Sequence, residues 1–286
     1  MLLGFLVVSP HIAPFSCNQP SSEILMAMLS FAFAMGGSFI FNQIADKSSD
    51  EINQKCFFIG RGMVSVKAAR FEAILLIVLS LILATRINYL FVLGILIFNV
   101  LTAYLYNYPP FTFKDKAVPG FLGNVIMGWL AFYLGAVLKT VDFEILVIHA
   151  LPYVLLNSAL YIFTTLPDAE GDRDTGKKTV GVVLSFRSNI LLALFLFFTG
   201  WAISYFLKDN TAMLIYVLSL YSFIRLLINT TMENVIKTTK WTIFIYSLVV
   251  AGFFPWYVVI GMAGFFITRS YYKNRFHLDY PSFKGE

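Results

Sequence analysis

The sequence predicts an all-α integral membrane protein, a polytopic bundle of about nine transmembrane helices. Three observations carry that reading. Of 286 residues, 58% are hydrophobic and only 13% charged, about half the charge of an ordinary soluble domain. The apolar residues form continuous runs such as Phe71–Ala84 and Tyr89–Val100, not the alternation of a membrane barrel strand. Lys and Arg are segregated by loop, as they are around membrane-crossing helices. A soluble enzyme, a disordered chain and a disulfide scaffold are excluded.

The N-terminal segment is unusual. Residues 1–22 hold no Lys or Arg, Met1–Val8 is short, and Pro10, Pro14 and Pro20 interrupt the next stretch of chain. Residues 1–21 therefore read as an atypical or shortened first helix, without the charged start of a signal peptide. A span needs about 20 mostly apolar residues. Such stretches lie near Ser22–Phe41, Ser65–Thr85, Asn88–Tyr106, Ala117–Lys139, Phe143–Leu166, Ser188–Leu207, Ala212–Met232 and Trp241–Thr268. The count is nine with the N-terminal segment and eight without it. No linker divides the chain, so residues 1–286 read as one domain.

Charge sets the orientation. Lys47, Lys55, Arg61, Lys67, Arg70, Lys114, Lys116, Arg173, Lys177, Lys178, Arg187, Lys237 and Lys240 fall on one side, and only Arg86, Lys139 and Lys208 on the other. The richer side is expected in the cytoplasm, and a prokaryotic inner membrane suits so short a form. The tail dissents, because nine spans would put Arg269, Lys273, Arg275 and Lys284 outside. The net charge of +5 reports orientation here and not a nucleic-acid partner. Cys17 and Cys56 stand 39 residues apart with no CxxC, which suggests neither zinc nor a disulfide framework.

Seven of the sixteen acids crowd into two loops on the basic side. In the first, Asn42, Asp46 and Asp50 repeat every four residues at the end of a span, a step that keeps one helical face. In the second, Asp168 and Asp172 repeat the same step 122 residues further on. Glu170 and Asp174 fall off that face and read as solvated. Gathered carboxylates need a cation. Hard oxygen ligands with few histidines favour Mg²⁺, which shares its coordination with substrate phosphates. Arg61, Lys114, Lys177 and Lys178 lie on the same side to meet the remaining phosphate oxygens. The chemistry such a site suits is ionisation of an allylic diphosphate, the cation left in a dry, aromatic-lined pocket.

With these motifs in view, the chain resembles the UbiA superfamily of intramembrane prenyltransferases over most of residues 22–270. The resemblance is carried by Asn42/Asp46/Asp50, by the stretch Tyr106 to Lys114, by Gly123-Asn124 and by Leu166 to Thr179. It implies nine helices around a central cavity open sideways to lipid, and Mg²⁺-dependent transfer of a polyprenyl group from its diphosphate to a hydrophobic or aromatic acceptor. By the same match, Asp46, Asp50, Asp168 and Asp172 would be catalytic residues that hold the metal. Asn42, Arg61, Tyr106, Lys114, Asn124 and Lys178 would contact the substrates. The chain departs from the family where Asn107 replaces a usual serine, where Thr112 replaces a frequent arginine, and where the first helix lacks its usual base. An aromatic quinone precursor is the favoured acceptor. The alternative is a prenylglycerol phosphate, and the rival from another class is an ion-coupled secondary transporter, whose acids would sit nearer the midplane. Arg225, inside a span, reads either as a functional charge or as a side chain snorkelling to the interface.

Overall fold

Short polar side chains write the helix starts of this protein. Ser21, Ser65, Asn88, Ser185, Asp209 and Thr231 each accept a hydrogen bond from the backbone N–H three residues on, which satisfies one of the donors a helix leaves unpaired. The computed structural model describes residues 1–9, 11–15, 19–47, 58–60 and 62–281. Among them, the regular structure begins with α1 (Leu2–Val7), α2 (Ser22–Ala45), α3 (Val66–Ala84) and α4 (Tyr89–Asn99). A π-turn over Val100–Leu105 extends α4; α5 (Ala117–Ala136) and α6 (Leu151–Thr165) come next, the latter preceded by a π-turn over Glu144–Ile148. Two short helices, α7 (Ala169–Asp174) and α8 (Val180–Val183), lead into α9 (Phe186–Phe206), α10 (Asn210–Ile228), α11 (Met232–Phe253) and α12 (Pro255–Phe276).

Five of these are long and apolar enough to cross a membrane: Ser22–Ala45, Ala117–Ala136, Glu144–Thr165, Phe186–Phe206 and Asn210–Ile228. Val66–Ala84, Met232–Phe253 and Pro255–Phe276 carry charges in their end turns, and Tyr89–Leu105 is shorter. Large apolar side chains such as Phe39, Phe71, Phe195 and Phe244 are exposed on the outer faces, as lipid-facing residues are. The chain is an all-helical integral membrane protein.

Two regions bear on the helix count. The six residues of α1 rise only about 9 Å, well short of a hydrocarbon core of roughly 30 Å. This helix lies against α5, where Gly4 and Gly135 let the two backbones approach so closely that a Cβ on either would collide with its neighbour's main chain. The stretch expected as one span, Trp241–Thr268, is broken. Phe254 leaves the helical region (φ −129°, ψ 76°), because a following proline disfavours helical backbone, and Pro255 opens α12 where its missing N–H costs nothing.

The break returns the chain to the basic end. Phe58, in the loop after α2, stacks on Tyr272 at 5.1 Å and meets Phe276 at 4.7 Å between ring centroids. Arg269, Lys273 and Arg275 therefore end on the side of Lys47 and Lys67.

Helix α2 packs on α3, α6 on α9 and α10 on α11. Phe197 of α9 stacks on Phe223 of α10 at 3.8 Å and meets Tyr216 edge-on at 5.0 Å. The Tyr216 hydroxyl donates to the Pro152 carbonyl of α6 (2.7 Å), so the buried phenol is not stranded in that core. Between α1, α2, α5, α6, α11 and α12 lies a cavity of about 640 Å³, lined by Phe31, Met35, Gly128, Asn157 and Tyr246 among others.

Candidate active site

The acids and bases predicted on one side meet where the end of α2, the loop after α4 and the loop after α6 come together. Helix α2 delivers the first of them. Asp46 caps its C-terminus, with its N–H still bonded to the Asn42 carbonyl (2.9 Å), so Asn42 and Asp46 keep the four-residue step. Asn42 Nδ2 donates to Asn107 Oδ1 (2.8 Å), and Asn107 Nδ2 to the Thr102 carbonyl (2.6 Å). Asn107 is 4% exposed and acts as a buried brace between α2 and the end of α4.

The π-turn shapes the next contribution. Its wider turn bonds the Tyr106 N–H five residues back to Leu101 (2.9 Å), and the loop beyond closes when the Lys114 N–H bonds the Tyr106 carbonyl (3.1 Å). Lys114 Nζ is thereby brought 2.7 Å from Asp46 Oδ1. Tyr106 is hydrogen-bonded to Tyr161 of α6, and its phenol is held well above the ordinary tyrosine pKa, first by burial and then by Tyr161, Asp46 and Asp115. It stays protonated, with its hydroxyl donating to Tyr161.

The loop between α6 and α9 closes the site from the other side. Asp172 takes the four-residue step from Asp168, its N–H bonded to the Asp168 carbonyl (2.8 Å). It is 9% exposed and accepts a bond from the Thr179 hydroxyl (3.1 Å). Burial raises its pKa against the pull of Lys177 and Thr179. Gly176 then turns the chain in the left-handed region (φ +77°), which glycine adopts without steric penalty. That reversal folds Lys177 back onto the acids: its Nζ lies 3.3 Å from Asp46, 3.8 Å from Asp115 and 3.9 Å from Asp172. Burial works to lower the Lys177 pKa, but Asp46, Asp115 and Asp172 outweigh it and the net shift is upward. The loops are tied by backbone as well, through the Lys178 N–H to the Asp115 carbonyl (2.8 Å) and a bridge pairing Lys116 with Lys178.

Thus Asn42, Asp46, Tyr106, Lys114 and Asp172 surround one volume, with Asp168 a turn before Asp172. The Lys178 side chain is exposed, and so are Glu170 and Asp174. Asn124 stands deeper on α5, accepting a bond from Asn157 Nδ2 (2.9 Å), and Asn157 lines the cavity. It therefore sits between the acids and the apolar chamber. Asp50 and Arg61 lie outside the described residues. Asp115 has no counterpart among the predicted site residues; its only signal was its place beside Lys114 at the end of the tyrosine loop.

The donor set suits a hydrated hard cation. Three carboxylates from three different segments converge on one ammonium, and Asp115 Oδ1 is buried without a hydrogen-bond partner. Among the described residues no three acids approach closely enough to chelate one bare ion. Their shared neighbour is Lys177.

The chain is similar to known proteins over much of its length. Digeranylgeranylglyceryl phosphate synthase of Thermococcus kodakarensis is 30% identical over 188 residues, 64% of this chain and 65% of that protein. The synthase of the same name from Pyrococcus horikoshii is 25% identical over 205 residues, 70% of each. The 2-acyl-4-prenylphloroglucinol 6-prenyltransferase of Humulus lupulus is 24% identical over 200 residues, 65% of this chain and 47% of that protein. The chain thus spans from about half to about two thirds of these relatives. A solved UbiA homologue of Archaeoglobus fulgidus, bound to GPP and Mg²⁺, superposes with a TM-score of 0.67 at 24% identity, over 89% of this chain and 93% of the other. Residues 1–248 match the UbiA prenyltransferase family, the same stretch that builds the acid cluster, and the chain belongs to that family.

Proposed function

We propose that the protein transfers a prenyl group from its diphosphate to a prenylglycerol phosphate, forming an ether lipid. The observation that carries the reading is the convergence of Asp46, Asp115, Asp172, Lys114 and Lys177 from three separate segments. The acceptor is taken from the two synthases named for such a product, in preference to the aromatic acceptor favoured from the motifs alone. The aromatic prenyltransferase of Humulus lupulus is less similar and shares less of its length.

Asp46, Asp172 and Asp168 would hold Mg²⁺, with Asp115 alongside and Asp50 completing the first motif. Bound Mg²⁺ supplies charge neutralisation of the leaving diphosphate. Lys114 and Lys177 would meet the phosphate oxygens, and Tyr106, donating to Tyr161, would wall the site beside them. The C1–O bond of the donor breaks, diphosphate departs, and the acceptor hydroxyl oxygen bonds to C1 and gives up its proton. The apolar cavity lined by Phe31, Met35 and Tyr246 would take the far end of the prenyl tail, while Asn124 and Asn157 mark the boundary between the polar and apolar halves.

The nine helices from α2 to α12 other than α7 and α8 act as the spans, with the acid cluster facing the cytoplasm of a prokaryotic cell. The decisive experiment supplies nanodisc-embedded protein with prenyl diphosphates, Mg²⁺ and two acceptor classes, prenylglycerol phosphates and aromatic acids. An ether product whose rate falls about 10²-fold or more in both Asp46→Asn and Asp172→Asn supports the reading. A prenylated aromatic product would restore the other acceptor, and no transfer by folded protein would end both.

A further inference from the structure

A second concave feature lies between α10 and α11, away from the acid cluster. It encloses about 450 Å³ and is lined by Tyr221, Arg225, Lys237, Lys240, Trp241 and Phe244, with smaller polar residues at its floor. The floor is internally satisfied: the Thr238 hydroxyl donates to the Ser222 carbonyl (3.1 Å), and Asn234 Nδ2 to the Asn229 carbonyl (2.7 Å). Trp241 Nε1 donates to the Leu218 carbonyl of α10 (3.1 Å), which fixes the indole across the helix pair. Tyr221 and Phe244 are exposed by 70% and 54%, so this wall faces the bilayer.

The charges are not satisfied in the same way. Lys237 pairs with Glu233. Among the described residues no carboxylate lies within ion-pair distance of Arg225 or Lys240. Side chains lean toward the N-terminus of their own helix. Arg225, in the last turn of α10, therefore leans inward from the basic end. Lys240 lies eight residues into α11, about 12 Å along it, and leans outward toward the same end. The two heads approach one level, where a lipid phosphate sits, above an aromatic wall of the kind found at membrane interfaces.

We propose that this groove is a site for an anionic glycerophospholipid, with its phosphate against Arg225 and Lys240 and an acyl chain along Trp241 and Phe244. A bilayer-facing groove is covered by lipid in any case; Arg225 feels Glu233 only at a distance, and two cations that no carboxylate among the described residues meets in an ion pair select an anionic head over a zwitterionic one. The site needs only the bilayer and is independent of the catalytic proposal.

The test places the full chain in nanodiscs of phosphatidylcholine with a minor share of phosphatidylglycerol, then counts retained lipids by native mass spectrometry. Quenching of Trp241 by brominated phosphatidylglycerol or phosphatidylcholine, each read against Trp241→Phe, locates the bound lipid. Retention should favour phosphatidylglycerol and fall about fivefold for each base removed in Arg225→Gln and Lys240→Gln, with thermal stability unchanged. Lys67→Gln, which removes an equal charge on α3, should leave it intact. An equal loss in Lys67→Gln would mean bulk surface charge only. No preference for phosphatidylglycerol, or its displacement by inorganic phosphate at matched concentration, would overturn the proposal.

Discussion

The Lys177 ammonium lies 3.3 Å from an Asp46 carboxylate oxygen, across 131 residues of chain. With Asp115 and Asp172 also within 4 Å, it stands where a divalent cation would neutralise the same acids. Carboxylates gathered this closely need a positive charge whether or not substrate is present, and Lys177 provides one that is covalently attached. A metal held by these acids would have to displace Lys177, whose ammonium would then be free to meet the diphosphate.

Lys177→Met should separate these two roles. Without diphosphate, Mn²⁺ read by electron paramagnetic resonance should bind about tenfold more tightly, the equivalent of one charge-assisted hydrogen bond. Turnover should fall by about 10²-fold, since the phosphate contact is lost. The variant should also melt at a lower temperature without metal and recover when Mn²⁺ is added. Weaker Mn²⁺ binding than in the unaltered protein would show that Lys177 organises the acids rather than competing for them.

The break at Phe254–Pro255 predicts where the tail resides. With α11 and α12 as separate crossings, a fluorescent protein fused after Glu286 should fold and fluoresce on the same side as a reporter placed in the Lys177 loop. Reporters on opposite sides would restore a single crossing over Trp241–Thr268 and remove the contact of Phe58 with Tyr272 and Phe276.

The features legible in the sequence had local causes. Caps such as Ser21, Asn88 and Asp209 announce themselves by residue type, and apolar runs announce spans by length. The four-residue steps Asn42–Asp46 and Asp168–Asp172 are helical geometry. The features missed depend on tertiary approach. Lys177 and Lys178 are chemically identical neighbours, and only the Gly176 turn and the pairing of Lys116 with Lys178 decide which ammonium turns inward. Asp115 matches no four-residue step, and it gains significance only because the tyrosine loop folds over the second acidic loop. The α11–α12 break was hidden because Phe253, Phe254 and Pro255 continue an apolar run, and a proline opening a helix looks the same as one interrupting it.

The apolar cavity sets a last expectation: if the prenyl chain enters it, its size should limit the length of donor turned over. Ala32 of α2 lines it opposite Gly128 and Asn157 of the α5–α6 pair, so added bulk there narrows the path without touching Asp46 or Lys177. In Ala32→Trp, turnover of geranylgeranyl diphosphate should fall about tenfold, the scale on which an apolar pocket discriminates by size. Geranyl diphosphate, which ends nearer the acids, should be turned over at close to the original rate. Equal loss with both donors would place the prenyl chain elsewhere, along the lipid-facing side of the bundle, and leave the chamber to the acceptor. Competition assays with each donor at fixed acceptor concentration measure the ratio directly, and the ratio is insensitive to how much of the variant folds.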